Sequence, residues 1–301
     1  MLQYLFLRLA VFLARRLPER WGMAIAPWSG RVVYRVSPVA KANRDNARHV
    51  LGPEADPSQI SQLARKAFEN RLLNYYEMLR LSDMPLEEIT RRMRIEGTEH
   101  IDRLVEEGRG AVITSGHMGP MELMIHGLGS LGYPLIAIAE HLEPERLHQY
   151  VMGLRVAHGF NMISTRASLL NVYRRVKRGE FLLSALDRDT TGTGLIVDFF
   201  GVPAWVPDGY ARLAVRASVP VIVGFCRRTD DGAVAKIYAP IYPDKSLGKE
   251  EAVLDLIQRS LKLFEAAIRE YPEEWHLSTP IWQRAQGRLA PAGMTQGEDA
   301  E

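Results

Sequence analysis

Residues 110–122 hold the side chains of this chain best placed to do chemistry. Ala111, Val112 and Ile113 form an apolar run, Gly116 and Gly119 flank His117, and Glu122 completes an HxxxxE spacing. A strand that runs through a tight turn into a helix projects its loop residues into a crevice, the usual place for a site in α/β folds. A carboxylate beside an imidazole fixes its tautomer and stabilises the imidazolium, so the other ring nitrogen can take a proton from an alcohol. Such a base contributes about 10²–10⁴-fold in rate. The glycines permit sharp backbone angles and close approach of a substrate. Backbone N–H groups at the helix start would support a developing oxyanion. The chemistry expected is acyl transfer to a hydroxyl, with His117 as general base and Glu122 as its partner. A metal site built on His117, Glu122 and His126 is not expected, because the spacing lacks the HExxH pattern.

The elements that must hold this turn alternate along the chain. Strands are predicted over 111–115, 134–139, 161–164, 181–186, 219–225 and 233–241, and helices over 122–131, 143–158, 168–178, 209–217 and 250–270. Upstream, 36–80 reads as helical, with Pro57 and Ser58 opening one helix, and 85–108 holds another. Alternation of this kind predicts an α/β fold, a mixed central sheet flanked by helices. Three segments are expected: a helical N-terminal stretch over 1–35, one domain over 36–285, and a small, polar, acidic tail over 286–301 expected to be disordered. Cys226 is the single cysteine, in an apolar run, so no disulfide forms within the chain and a buried thiol is expected. The threonine- and glycine-rich stretch 190–194 reads as a loop, lacking the lysine of a phosphate-binding loop.

Net charge over the whole chain is +2, which says little about partners. Its distribution says more. The first fifty residues carry roughly +7, from Arg8, Arg15, Arg16, Arg20, Arg31, Arg35, Lys41, Arg44 and Arg48 against Glu19 and Asp45. Arg8, Arg15 and Arg16 alternate with Leu5, Leu9, Phe12 and Leu13, and Trp21 and Trp28 follow. The apolar run is shorter than the ~20 residues a spanning helix needs. A basic amphipathic helix lying in the interface of an anionic membrane is expected instead. Nothing beyond this charge suggests nucleic acid, and none is expected as a partner.

Residues 110–123 also resemble the signature of the bacterial lipid A biosynthesis acyltransferase family, within the wider lysophospholipid and glycerolipid acyltransferases. Further blocks carry the resemblance: Asn43 to Asn46, Phe68 to Asn70, Glu77 to Arg80, Asp187 to Asp189, Asp198 to Ala204, and Gly209 with Ala211 to Ala214. Together they span roughly residues 30–285, and separated blocks are more specific than one motif. Asp187-Arg188-Asp189, the run from Val197 to Gly201 and Pro272 to Leu277 look closer to phosphatidylinositol mannoside acyltransferases than to lauroyl enzymes.

The resemblance implies a glycerolipid-acyltransferase-like fold. It implies that a hydroxyl of a membrane glycolipid attacks the thioester of acyl-CoA or acyl-carrier protein, with His117 as base, Glu122 as its partner, no acyl-enzyme and no cofactor. Arg155, Asp187, Arg188 and Asp189 would line the headgroup side, arginine suiting phosphate and aspartate suiting sugar hydroxyls. The competing reading makes Asp187 to Asp189 a turn that caps the strand over 181–186. The implied location is the cytoplasmic face of the bacterial inner membrane. Acylation of a glycerophospholipid and a non-catalytic lipid-binding protein are the alternatives.

Overall fold

The structure is a computed structural model, and it describes residues 2–139, 142–155, 161–164 and 169–289. Four helices precede the first strand: α1 (Leu2–Arg16), α2 (Glu19–Tyr34), α3 (Ala40–Leu51) and α4 (Pro57–Leu81). Then come α5 (Leu86–Arg92), β1 (Met93–Glu96), α6 (Glu99–Glu106), β2 (Ala111–Ser115), α7 (Met121–Ser130), β3 (Leu135–Ala139), α8 (Glu145–Arg155) and β4 (Asn161–Ser164). The remainder is α9 (Leu169–Lys177), β5 (Phe181–Ala185), β6 (Leu195–Phe199), β7 (Val202–Val206), α10 (Gly209–Ala217), β8 (Val221–Thr229), β9 (Gly232–Ile237), α11 (Lys249–Glu270) and α12 (Ile281–Leu289).

Seven strands form a central sheet in the order β1-β9-β8-β2-β5-β3-β4, parallel except for the β8–β9 hairpin. This is the expected mixed sheet flanked by helices. Side chains on β2 alternate between two cores, as period-two geometry requires. Val112 faces a core with Val176, Ala214, Leu256 and Phe264, and Ala111 and Ile113 face another with Ile89, Leu104, Leu123 and Leu128. Both sides of the strand are covered, which is why it reads as an unbroken apolar run.

Three features differ from the sequence expectation. The region 85–108 holds the expected helix as α6, but also the short helix α5 and, unforeseen, Met93–Glu96 as edge strand β1, paired in parallel with β9. Four residues are too few to show a period. Residues 195–206 form a separate antiparallel hairpin, β6–β7. Its two-residue turn has positive φ at both Phe200 (56°) and Gly201 (76°), the form that matches strand twist. The non-glycine residue at that position is held by its N–H, which donates to Glu265 of α11 at 2.7 Å, and its ring lies under the Arg269 guanidinium. Finally, α12 continues to Leu289, inside the segment expected to be tail, because Ile281, Trp282 and Ala285 are buried. Residues 290–301 of that expected tail lie outside the described residues.

The first two helices reverse the usual arrangement of a surface helix. α2 buries its small stripe, Gly22, Ala26 and Gly30, and turns Trp21, Ile25, Trp28 and Val32 outward. α1 likewise exposes Leu5, Phe6, Leu9, Phe12 and Leu13. The glycines allow α2 to lie close on α4: a Cβ at Gly22 would sit 1.9 Å from the Tyr76 ring, and one at Gly30 3.0 Å from the Glu69 backbone. Buried Glu69 receives Arg31 of α2 at 3.0 Å and Arg65 of its own helix at 2.5 Å. Among the described residues no helix is long and apolar enough to cross a membrane. Gly22→Val is expected to force α2 off α4 and to lower stability by about 1–3 kcal/mol, measured by denaturant unfolding.

Candidate active site

Strands β2 and β5 are adjacent, parallel and in register, with Ser115 opposite Ala185. Leu186 N–H extends the pairing by donating to the Ser115 carbonyl at 3.0 Å. His117 and Asp187 each follow their strand end by two residues, so they emerge side by side at the carboxyl end of the sheet.

There Asp187 meets His117 twice. His117 Nδ1 lies 2.7 Å from Asp187 Oδ1, and the His117 backbone N–H donates to Oδ2 at 2.8 Å. The indole Nε1–H of Trp275 donates to the same Oδ2 at 3.0 Å. Asp187 is fully buried, and burial alone would push its carboxyl up; the charge and hydrogen bonds of His117 override this, with Trp275 adding to them, and hold it below the usual carboxylate range. An ionised Asp187 accepts only, so Nδ1 carries the proton and Nε2 is the acceptor of the neutral ring. The imidazole side chain keeps 24 % exposure. A partly exposed neutral imidazole steadied by a buried carboxylate is suited to accept a proton.

The C-terminal segment closes around this pair. Gly119 N–H donates to Glu274 O at 2.9 Å, and His276 N–H donates to His117 O at 2.9 Å. Met118 and Trp275 form an antiparallel bridge. Three asparagine amides of the helical layer hold both partners: Asn46 donates to Leu277 O, Asn70 to Glu273 O and Asn74 to Gly119 O, each at 2.8 Å. Asn74 also lies 2.7 Å from His276 Nε2, and its Oδ1 accepts from Arg228. Arg228 forms a two-pronged pair with Glu77 at 2.5 and 2.7 Å. Burial and the neighbouring His117 charge drive His276 down to about 3, so this second imidazole stays neutral. Gly119 needs its freedom here: φ is +63°, and a Cβ would sit 2.1 Å from Cys226 O. Cys226 is buried as expected, and its Sγ donates to Met118 O at 3.3 Å.

The sequence expectations divide accordingly. His117 stands at the carboxyl end of β2, partly exposed. The carboxylate on its Nδ1 is Asp187, not Glu122; Glu122 is half-buried in the first turn of α7, where the helix dipole favours a negative charge. Asp187 does not reach toward a sugar, since both its oxygens are committed to His117 and Trp275. Asp189 is not open to a headgroup either. It accepts from Thr191 N–H and hydroxyl, Gly192 N–H, Gly194 N–H and Trp205 Nε1–H, at 2.7–3.1 Å. Burial opposes its charge, and these donors, Thr191 foremost, bring its carboxyl down to about 2. The turn reading of this aspartate therefore prevails, and it is what folds the 190–194 loop. Arg188 is exposed between the two buried aspartates. Arg155 ends α8, and its side chain lies outside the described residues. Within the turn, the N–H groups of His117, Met118, Gly119 and Met121 donate inside the protein, so any oxyanion donors would come from the next N–H groups in the first turn of α7. Trp275 was legible only as part of a block after α11, with no sign that it reaches this turn.

Comparison with known proteins agrees in kind. Residues 1–284 match the model of the bacterial lipid A biosynthesis acyltransferases. The chain is 26 % identical over 274 residues to a phosphatidylinositol mannoside acyltransferase of Mycolicibacterium smegmatis, covering 90 % of this chain and 88 % of that one. It is 27 % identical over 247 residues to one of Mycobacterium tuberculosis, covering 79 % and 76 %. A solved 1-acyl-sn-glycerophosphate acyltransferase of Thermotoga maritima overlaps 89 % of this chain and 97 % of its own, with 15 % identity and a TM-score of 0.39.

The depressed Asp187 carboxyl has a consequence for stability. Its charge stabilises the fold above the unfolded carboxylate range, and that contribution is lost as pH falls through the lower folded-state value. Asp187→Asn is expected to flatten the acidic limb of the stability–pH curve, measured by denaturant unfolding between roughly pH 2 and 7.

Proposed function

As a member of the bacterial lipid A biosynthesis acyltransferase family this chain is an acyltransferase, and we propose that it acylates a hydroxyl of a membrane glycolipid of the phosphatidylinositol mannoside kind. The donor is an acyl thioester, acyl-CoA or acyl-carrier protein. His117 Nε2 takes the hydroxyl proton as the oxygen attacks the thioester carbonyl. The C–O bond forms, the C–S bond breaks, and the thiolate leaves with a proton returned by the imidazolium. Asp187 stabilises that imidazolium, and the acceptor oxygen itself attacks the thioester, without an acyl-enzyme. The observation that carries this reading is the 2.7 Å contact between a buried carboxylate and an accessible imidazole at the mouth of the sheet. The printed names of the two relatives support the acceptor class. Arg188 and Arg155 are the residues we assign to the lipid phosphate.

The outward apolar stripes of α1 and α2 support docking on a lipid surface. Phe6, Phe12, Trp21 and Trp28 are each more than half exposed, interleaved with Arg8, Arg15, Arg16 and Arg20. That combination suits an anionic interface. A chain so docked, using thioesters made in the cytoplasm, works at the cytoplasmic face of the inner membrane.

His117→Ala is expected to lower acyl transfer about 10²–10⁴-fold, measured in detergent with long-chain acyl-CoA on protein shown to be folded by circular dichroism, and to cost stability as well, because buried Asp187 loses its ring donor. Faster acylation of lysophosphatidate than of a mannosylated phosphatidylinositol by the unaltered chain would overturn the acceptor. Replacing Phe6 and Trp28 by alanine is expected to weaken binding to anionic vesicles at least about tenfold, read by co-sedimentation.

A further inference from the structure

Asp187 Oδ2 takes its second donor from a side chain far away in sequence, the indole of Trp275 at 3.0 Å. That indole has little freedom. It is 4 % exposed and stands edge-on to Phe199, Phe264 and Trp282, with ring centroids 6.0 Å away and planes at 86–87°. These three rings are themselves stacked, Phe264 on Phe199 at 5.9 Å and Phe199 on Trp282 at 5.6 Å. Edge-to-face contacts of this kind favour one ring orientation. The wall also abuts the turn it serves: a Cβ on Gly116 would lie 1.9 Å from the Phe264 ring.

We propose that Trp275 is a positioning residue, whose indole N–H, aimed by this wall of rings, sets the orientation of Asp187 and through it the proton affinity of His117. The inference rests on the reading of His117 as the base. The physical argument is a competition for one carboxylate. Each donor to Asp187 spreads part of its charge. Remove the indole donor, and the carboxylate draws more strongly on the Nδ1 proton, which favours the imidazolium. A base must be neutral to act, so activity is lost from the acid side upward. The carboxylate also loses one of the bonds that keep Oδ1 directed at Nδ1. Other charged groups near the pair stay as they are: Glu122 on α7, Arg71 on α4, which lies close enough to act on His276, Glu274 on the C-terminal segment, and the Arg228–Glu77 pair from β8 and α4. His276 stays neutral across the range and adds no charge.

The test follows the imidazole directly and needs no substrate. In the full chain with labelled histidine, the His117 ring signals are assigned by their loss in His117→Ala and titrated by NMR. Trp275→Phe removes the donor. Replacing Trp275 by β-(3-benzothienyl)alanine removes the donor while keeping ring size, and decides the matter where Trp275→Phe does not fold. Trp205→Phe is the control, since it removes an indole donor from the other buried aspartate, Nε1 to Asp189 Oδ2 at 2.7 Å, and belongs neither to the ring wall nor to the His117–Asp187 pair. Both changes at 275 are expected to raise the His117 midpoint by roughly one pH unit, and Trp205→Phe to leave it in place. The acidic limb of kcat/KM should move up with it, and kcat on that limb should fall by up to about tenfold with KM nearly unchanged. An unmoved His117 midpoint in the benzothienyl protein overturns the inference. Full acyl transfer by His117→Ala, with the midpoint still moving at 275, would overturn the base and leave the positioning intact.

Discussion

A carboxylate taken wholly out of water must find donors for both oxygens or lose its charge. Asp187 finds three: the His117 ring, the His117 backbone and the Trp275 indole. Each comes from a segment that had to be brought to one point. The ring and backbone arrive because β2 and β5 run parallel in register. The indole arrives because the chain after α11 folds back along the turn, pairing Glu274 and His276 with Gly119 and His117. Much of the architecture around the site can be understood as meeting this demand.

Polar and apolar contributions divide the work. The apolar side is the ring wall, which excludes water and leaves Trp275 little room. The polar side is the row of asparagines on α3 and α4, which satisfies carbonyls that a sheet cannot reach. Buried polar groups of this sort are costly unless paired. Paired, they fix one geometry, because each carbonyl they serve has a defined direction. Asn74 is the junction, since it touches Gly119, His276 and Arg228 together. The helical layer thus belongs to the site as much as the sheet does. The same layer carries α2 on α4, so one helix, α4, backs the outward apolar stripes with one part of its surface and the His117 turn with another.

Reading by period alone succeeded where the signal was local. β2, β5 and α7 were legible because apolar runs, glycine punctuation and helical spacing sit within a few residues of each other. β1 was too short to show a period, and the β6–β7 hairpin carries Asp198 and Pro203 inside strands whose stability comes from packing against α11 and α12. Glu122 illustrates a limit of another kind. Its distance from His117 along the chain is short, yet the turn through Gly119 and Pro120 starts a helix there, and the carboxylate that reaches Nδ1 comes from another strand.

The sequence by itself determined the chemistry available: an imidazole at the end of a buried strand, a pair of aspartates at the end of another, and helices with arginines among exposed-looking aromatics. Family blocks spread over most of the chain also narrowed the reaction to acyl transfer. Which aspartate meets the imidazole was decided only in three dimensions. Strand order and register are properties of the whole sheet, since any apolar strand can in principle lie beside any other. Only the packed sheet sets β5 against β2, and only then do Asp187 and His117, seventy positions apart in the chain, become neighbours.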